Sequence, residues 1–208
     1  MSARVEHAKR DAGEAAALLV EPGMRVGLGT GSTVSWFLEA LARRKLPGLR
    51  CVATSPATAR RGAELGLPVE EFDTLDRLDL TVDGADQVAP DGWLVKGGGG
   101  AHLREKIAAT AADRFVVIVD ADKLVDHLVP PVPLEIHRFG LSATLAQLGS
   151  ARVREGAAPS PDGGVIADLG DAIDDPAALA ARLDAVPGVL GHGLFSPGLV
   201  DEVVVGGA

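Results

Sequence analysis

Two apolar spacings alternate along the first 128 residues. Residues 3–20 read as an amphipathic helix closed by the turn Glu21-Pro22-Gly23, and 32–44 as a second helix with Val34, Phe37, Leu38 and Leu41 at helical spacing. Further helices are expected near 56–65 and over 101–112. Between them fall short apolar runs at 24–28, 49–53, 79–82 and 93–95, and a fully apolar run at 115–119, each expected as a strand. This βαβ alternation predicts an α/β fold: a Rossmann-like, mainly parallel sheet with helices on both faces.

From Val129 the texture changes. Pro130-Pro131-Val132-Pro133 reads as a hinge or linker. Strands at 134–139, 152–154, 165–168 and 189–195, with helices at 142–148 and 176–185, follow in the order β-α-β-β-α-β. That is the split βαβ, or ferredoxin-like, arrangement. Residues 199–205 form a last apolar strand, expected to return to the first sheet. The expected division is a Rossmann-like domain of residues 1–128 and 199–208 and a smaller inserted α+β domain of residues 129–198.

Composition narrows the class. With 47% hydrophobic and 24% charged residues, the chain is neither a disordered acidic tail nor a collagen-like repeat. Aromatics are scarce, at two Trp, five Phe and no Tyr, so the core must rest on aliphatic side chains and single-stranded nucleic acid would find few stacking platforms. A net charge of -9 argues against polyanion binding, which needs a basic face, but not against one phosphate held by backbone N–H groups and a local cation. Cys51 is the sole cysteine, which excludes an intrachain disulfide and a multi-cysteine metal site; within an apolar strand it reads as an inert thiol. The first 20 residues are mixed in charge without a long apolar stretch, which argues against a signal peptide or membrane span and for a cytoplasmic protein.

Ligands of open α/β sheets bind beyond the carboxyl ends of the strands, and here those ends are polar or glycine-rich. The groups are Gly29-Thr30-Gly31-Ser32-Thr33, Thr54-Ser55, Asp83-Gly84-Ala85-Asp86, Lys96-Gly97-Gly98-Gly99-Gly100 and Asp120-Ala121-Asp122-Lys123. If the strands are parallel, all five gather on one edge. The first group is open to three readings: a sugar-phosphate cradle, a dinucleotide fingerprint, or a structural turn with Ser32 or Thr33 capping the helix. It lacks the spacing of an ATP-type P-loop and of G-x-G-x-x-G, and no acidic ribose ligand follows about twenty residues on.

Asp83 and Asp86 are either turn formers or a carboxylate pair facing a polyhydroxylated ligand. Four glycines after Lys96 are entropically costly, and close approach of backbone to substrate is the better reason for them. Glu105 alone would read as part of a solvated helix face, but behind Lys96 and the glycines it reads as a functional carboxylate. Lys123 either completes an anion site or faces solvent. His102, His137 and His192 lie on different elements without metal-ligand spacing, and no G-x-S-x-G elbow is present.

Taken in order, GLGTGST, TSPATA, DGAD, KGGGGAHLREK and VDADK, with DGGVIAD and HGLF in the second domain, strongly resemble type A ribose-5-phosphate isomerases along the whole chain. The resemblance implies isomerisation between D-ribose 5-phosphate and D-ribulose 5-phosphate in the non-oxidative pentose phosphate pathway, without metal or organic cofactor. It implies Glu105 as general base; Lys96, Asp83 and Asp86 are read as completing one catalytic acid/base cluster with it. It also implies substrate binding by Thr30, Gly31, Ser32, Thr33, Asp83, Gly84, Ala85, Asp86, Lys96, Gly97, Gly98, Gly99 and Lys123. The implied assembly is a cytoplasmic homodimer, sometimes a tetramer, with a pentose phosphate as its small-molecule partner and neither nucleic acid nor membrane. Two departures stand out: Gln87 where the family commonly has glutamate after DGAD, and DADK where it commonly has DESK. A non-catalytic sugar-phosphate sensor is the alternative; it would have no need of Glu105. A nicotinamide-dependent oxidoreductase would need the fingerprint that is missing.

Overall fold

The computed structural model describes residues 3–207. Its strands are β1 (Arg25–Leu28), β2 (Arg50–Ala53), β3 (Val69–Glu70), β4 (Leu80–Asp83), β5 (Gln87–Val88), β6 (Leu94–Val95), β7 (Phe115–Asp120), β8 (Val132–Ile136), β9 (Ala151–Val153), β10 (Val165–Leu169), β11 (Val189–His192), β12 (Leu194–Phe195) and β13 (Glu202–Gly206). Its helices are α1 (Ala3–Leu18), α2 (Ser32–Arg44), α3 (Pro56–Glu64), α4 (His102–Thr110), α5 (Leu141–Leu148) and α6 (Pro176–Asp184). No described helix is long and apolar enough to cross a membrane.

One compact unit runs to Ala85, takes Arg104–Lys123 and resumes at Gly198. Its six-stranded sheet, in the order β13-β7-β4-β1-β2-β3, is parallel throughout. Successive strand residues point to opposite faces, and the core follows that period. Val26, Leu28, Leu80, Val82, Val116 and Ile118 pack with Ala12 and Ala16 of α1 and Phe37 and Leu41 of α2. On the other face Val52 and Leu78 meet Ala108 of α4. Fully burying each such Leu, Val or Phe contributes about 2 kcal/mol. The helices on both faces and the return of the last strand agree with the expected fold class. From β1 the chain first builds outward through β2 and β3, then returns to β4, β7 and β13 on the other side. The order reverses between β1 and β4, which is where sheets of this kind leave a crevice for a ligand.

The second compact unit contains Asp86–Leu103 and Leu124–Pro197. Strands β11-β8-β10-β9 form an antiparallel sheet, and with α5 and α6 they give the expected ferredoxin-like order. Leu134, Ile136, Ala167 and Leu169 pack with Leu148, Leu179 and Leu183 of the two helices. Strand pairing sets Pro133, Glu135, Ile166 and Asp168 on the opposite, helix-free face.

Three expectations change. Val132 and Pro133, read as part of a hinge, lie inside β8; Pro133 needs no N–H there, and its carbonyl accepts the Gly193 amide at 2.7 Å. The run at 189–195 is two strands in two sheets: β11 pairs with β8, and β12 pairs with β6. Finally, β6 is absent from the parallel sheet. It forms a hairpin with β5, and the connection between them is too short for a parallel crossover, so the pairing is antiparallel. Residues 86–103, expected in the first domain, therefore cluster with the second unit, and the Lys96 group does not follow a strand of the parallel sheet.

Candidate active site

In the first unit, the loop after β1 and the end of β4 interlock at the switch point. Asp83, fully buried, accepts the Thr30 amide at 2.9 Å and the Gly84 amide at 2.8 Å on Oδ1. The loop can lie this close because residue 29 is glycine: a Cβ there would stand 2.0 Å from Asp83 Oδ1. The Thr30 hydroxyl meets that of Thr54 at 2.9 Å and that of Thr58 at 3.3 Å, and Thr58 Oγ1 donates to the Gly29 carbonyl at 2.8 Å. Ser55 caps α3 by accepting the Thr58 amide at 3.1 Å. Thr54 and Thr58 thus brace the β1 loop, a part that the sequence did not assign to them; its signal there was a run of hydroxyls after a strand.

Gly31 is the N-cap of α2, and no side-chain hydrogen bond caps that helix. Ser32 and Thr33 therefore stand inside its first turn, which rules out the capping role open to them from sequence. Thr30 and Thr33 are half-buried, and Gly31 and Ser32 are exposed. Together they present backbone N–H groups and hydroxyls at the positive end of a thirteen-residue helix, a suitable seat for a phosphate. Gly84 and Ala85 are half-buried, and Lys123 is half-buried at the close of the 3₁₀ turn Ala121–Lys123.

Glu105 is only 4% exposed. Its helix is fixed against β4: the Leu78 amide donates to the Ala111 carbonyl at 2.8 Å, and Thr81 Oγ1 to the Ala108 carbonyl at 3.0 Å. Rising strand numbers meet falling helix numbers, so α4 runs antiparallel to β4. One turn before Ala108, Glu105 lies toward the sheet edge that Asp83 occupies.

In the second unit, Lys96 is 2% exposed. Its amide donates to the Gly193 carbonyl at 2.8 Å, and its ammonium lies 5.4 Å from the centre of the Phe195 ring, a cation–π contact. Gly97 has φ +110, and a Cβ on it would stand 2.7 Å from both His102 Nδ1 and Pro133 Cβ. Half-buried Asp86 accepts the Gly98 amide at 2.8 Å, and the Gly100 amide donates to the Gly97 carbonyl at 3.0 Å. Two loop N–H groups are therefore engaged inside the protein; Gly98 and Gly99 are exposed.

Other candidates do not form a site. Burial pushes the Cys51 thiol up to about 12, which keeps it protonated and unreactive. Among the described residues no cluster of three His, Cys, Asp or Glu could hold a metal ion.

The chain matches the family model described as ribose 5-phosphate isomerase A (phosphoriboisomerase A) over residues 50–208. It is 49% identical to the ribose-5-phosphate isomerase A of Caulobacter vibrioides (strain NA1000 / CB15N) over 212 residues, covering 95% of this chain and 93% of that relative. The crystal structure of ribose 5 phosphate isomerase A from Neisseria gonorrhoeae is similar at a TM-score of 0.91 and 34% identity, over 97% of this chain and 93% of that one. A D-ribose-5-phosphate isomerase in complex with phospho-erythronic acid is similar at a TM-score of 0.91 and 35% identity, over 99% and 96% of the two chains.

Proposed function

The chain belongs to the ribose 5-phosphate isomerase A family, and on that premise we propose that it interconverts D-ribose 5-phosphate and D-ribulose 5-phosphate through a cis-enediol(ate). The observation that carries this reading is the burial of Glu105. A glutamate on a solvated helix face would be exposed; this one is 4% exposed on a helix anchored to β4. A base that removes a proton from carbon works best where water cannot compete for it.

In this reading Glu105 takes the C2 proton of the open-chain aldose and returns it to C1. The Lys96 ammonium stabilises the enediolate oxygen, a contribution of about 3 kcal/mol for one preorganised donor. Asp83 exchanges a proton with a ring or hydroxyl oxygen while its Oδ1 holds the Thr30 loop, and Asp86 binds a substrate hydroxyl. The N-terminal turn of α2, with Thr30, Gly31, Ser32 and Thr33, takes the phosphate, and Lys123 adds a cation. Gly84, Ala85, Gly97 and Gly99 lend backbone contacts to the substrate, and Gly98, held by Asp86 and Arg154, shapes the loop for it. Phospho-erythronic acid, bound by one relative, supports this chemistry: its planar carboxylate shares the flat, anionic character of an enediolate. The working form is a cytoplasmic homodimer or tetramer that uses neither metal nor organic cofactor.

The test is a coupled assay for ribulose 5-phosphate with the purified chain, ribose 5-phosphate and EDTA, without added nucleotide. Catalytic turnover is expected. Binding of the sugar phosphate without any product would instead make the chain a sensor.

A further inference from the structure

The glycine loop after Lys96 is held from a side that the mechanism does not use. Arg154, next to the end of β9, is on the helix-free face of the antiparallel sheet, where its amide donates to the Ile166 carbonyl at 2.9 Å. Its Nε and Nη2 donate to the two carboxylate oxygens of Asp168 on β10, at 2.8 and 2.6 Å. Its remaining nitrogen, Nη1, donates to the Gly97 carbonyl at 3.1 Å and the Gly98 carbonyl at 2.9 Å.

The Gly97 carbonyl and the Gly98 amide belong to one peptide plane. Arg154 grips that plane by its oxygen, and Asp86 grips it by its nitrogen at 2.8 Å. Between two glycines a peptide plane turns over with little steric resistance. Here a cation at one end and a carboxylate at the other fix its direction. The Asp168 carboxylate holds the guanidinium charged against the opposing effect of burial, and the charge of Asp86 adds to that.

We propose that Arg154, seated by Asp168, is a positioning residue of the isomerase: it locks the Gly97–Gly98 peptide and so sets Lys96 and Asp86 for the reaction. The proposal rests on the isomerase reading. Lysine cannot replace it, because an ammonium has no planar fork to hold a carboxylate in two bonds while reaching two carbonyls.

The experiment measures kcat and KM for ribose 5-phosphate in Arg154→Lys, Arg154→Ala and Asp168→Asn, with Arg152→Ala as control. Arg152, two residues earlier on β9, carries the same charge, and among the described residues its guanidinium donates to the Gly149 and Ala151 carbonyls rather than to the glycine loop. Misplacement near 1 Å costs on the order of 100-fold in rate. Both Arg154 variants are expected to lose about that much kcat with KM changed less than about threefold, and the Arg152 variant to match wild type. Ethylguanidinium should restore part of the kcat of Arg154→Ala. Amide exchange at Gly98, followed by NMR without substrate, should accelerate in both Arg154 variants. If Arg154→Ala does not fold, Arg154→Lys carries the same comparison. Unchanged kcat and unchanged Gly98 exchange in Arg154→Lys would overturn the proposal, as would a loss that tracks only the unfolded fraction. A wild-type protein without turnover would instead sink the isomerase reading, and Gly98 exchange would still report whether Arg154 holds the peptide.

Discussion

Asp83 Oδ1 ties the β1 loop to the end of β4, accepting the Thr30 amide from the one and the Gly84 amide from the other, and hydrogen bonds from amides to a carboxylate contribute about 2 kcal/mol each. The loop in turn depends on the missing side chain at Gly29. Gly29→Ala is expected to push Asp83 and Thr30 apart, to cost about 2 kcal/mol of stability, and to reduce kcat/KM for ribose 5-phosphate about 100-fold. Urea unfolding and steady-state kinetics check both; an unaffected kcat/KM would mean that the close approach of Gly29 to Asp83 serves packing alone. Residue type and place in the sequence singled out Asp83 and Lys96 at strand ends, and Glu105 on the helix behind the glycines, as candidates. The same signals could not reveal Arg154 and Asp168. They lie more than fifty residues beyond the loop, and only the pairing of β9 with β10 brings them under it.

Elements are joined at the base of the parallel sheet by an ion pair. Arg25, at the start of β1, donates to Asp79, just before β4, from its amide at 2.7 Å and its guanidinium at 3.1 and 2.6 Å. Those hydrogen bonds hold the Asp79 carboxyl down at about 2, with burial opposing and the backbone and charge of Arg25 adding. A carboxyl lowered in the folded state contributes stability that is complete above its unfolded pKa, near 4, and is lost as pH falls through the folded value. Asp79→Asn is therefore expected to lower stability at neutral pH by about 1 kcal/mol, discounted for the pair's partial exposure. The gap to wild type should narrow from about pH 4 downward. Thermal melts across that range measure it, and a gap independent of pH would contradict the assignment. The long helices and the longer strands of the parallel sheet were legible from their apolar pattern. The two-residue strands β3 and β5 were not, since two residues carry no period; β6, expected at 93–95, was legible as a strand but not in its pairing, because nothing local distinguishes parallel from antiparallel.

At the scale of the molecule, each of the two units builds one part of the candidate machinery on its own sheet. The parallel sheet puts the Asp83 loop at its switch point and carries Glu105 on an anchored helix. The antiparallel sheet keeps helices on one face and gives the other to the loop after Lys96. A parallel and an antiparallel sheet were both expected from the succession of apolar runs, whereas the clustering of 86–103 with the second unit was not: β12, set off from β11 by Gly193, pairs with β6. The proposed role of buried Glu105 as the base of an aldose–ketose isomerisation is tested by comparing Glu105→Gln with wild type, measuring kcat for ribose 5-phosphate and the affinity for phospho-erythronic acid in the same preparations. A loss of kcat of at least about 100-fold is expected, with inhibitor affinity changed less than about tenfold. Turnover near the wild-type rate in Glu105→Gln would contradict it.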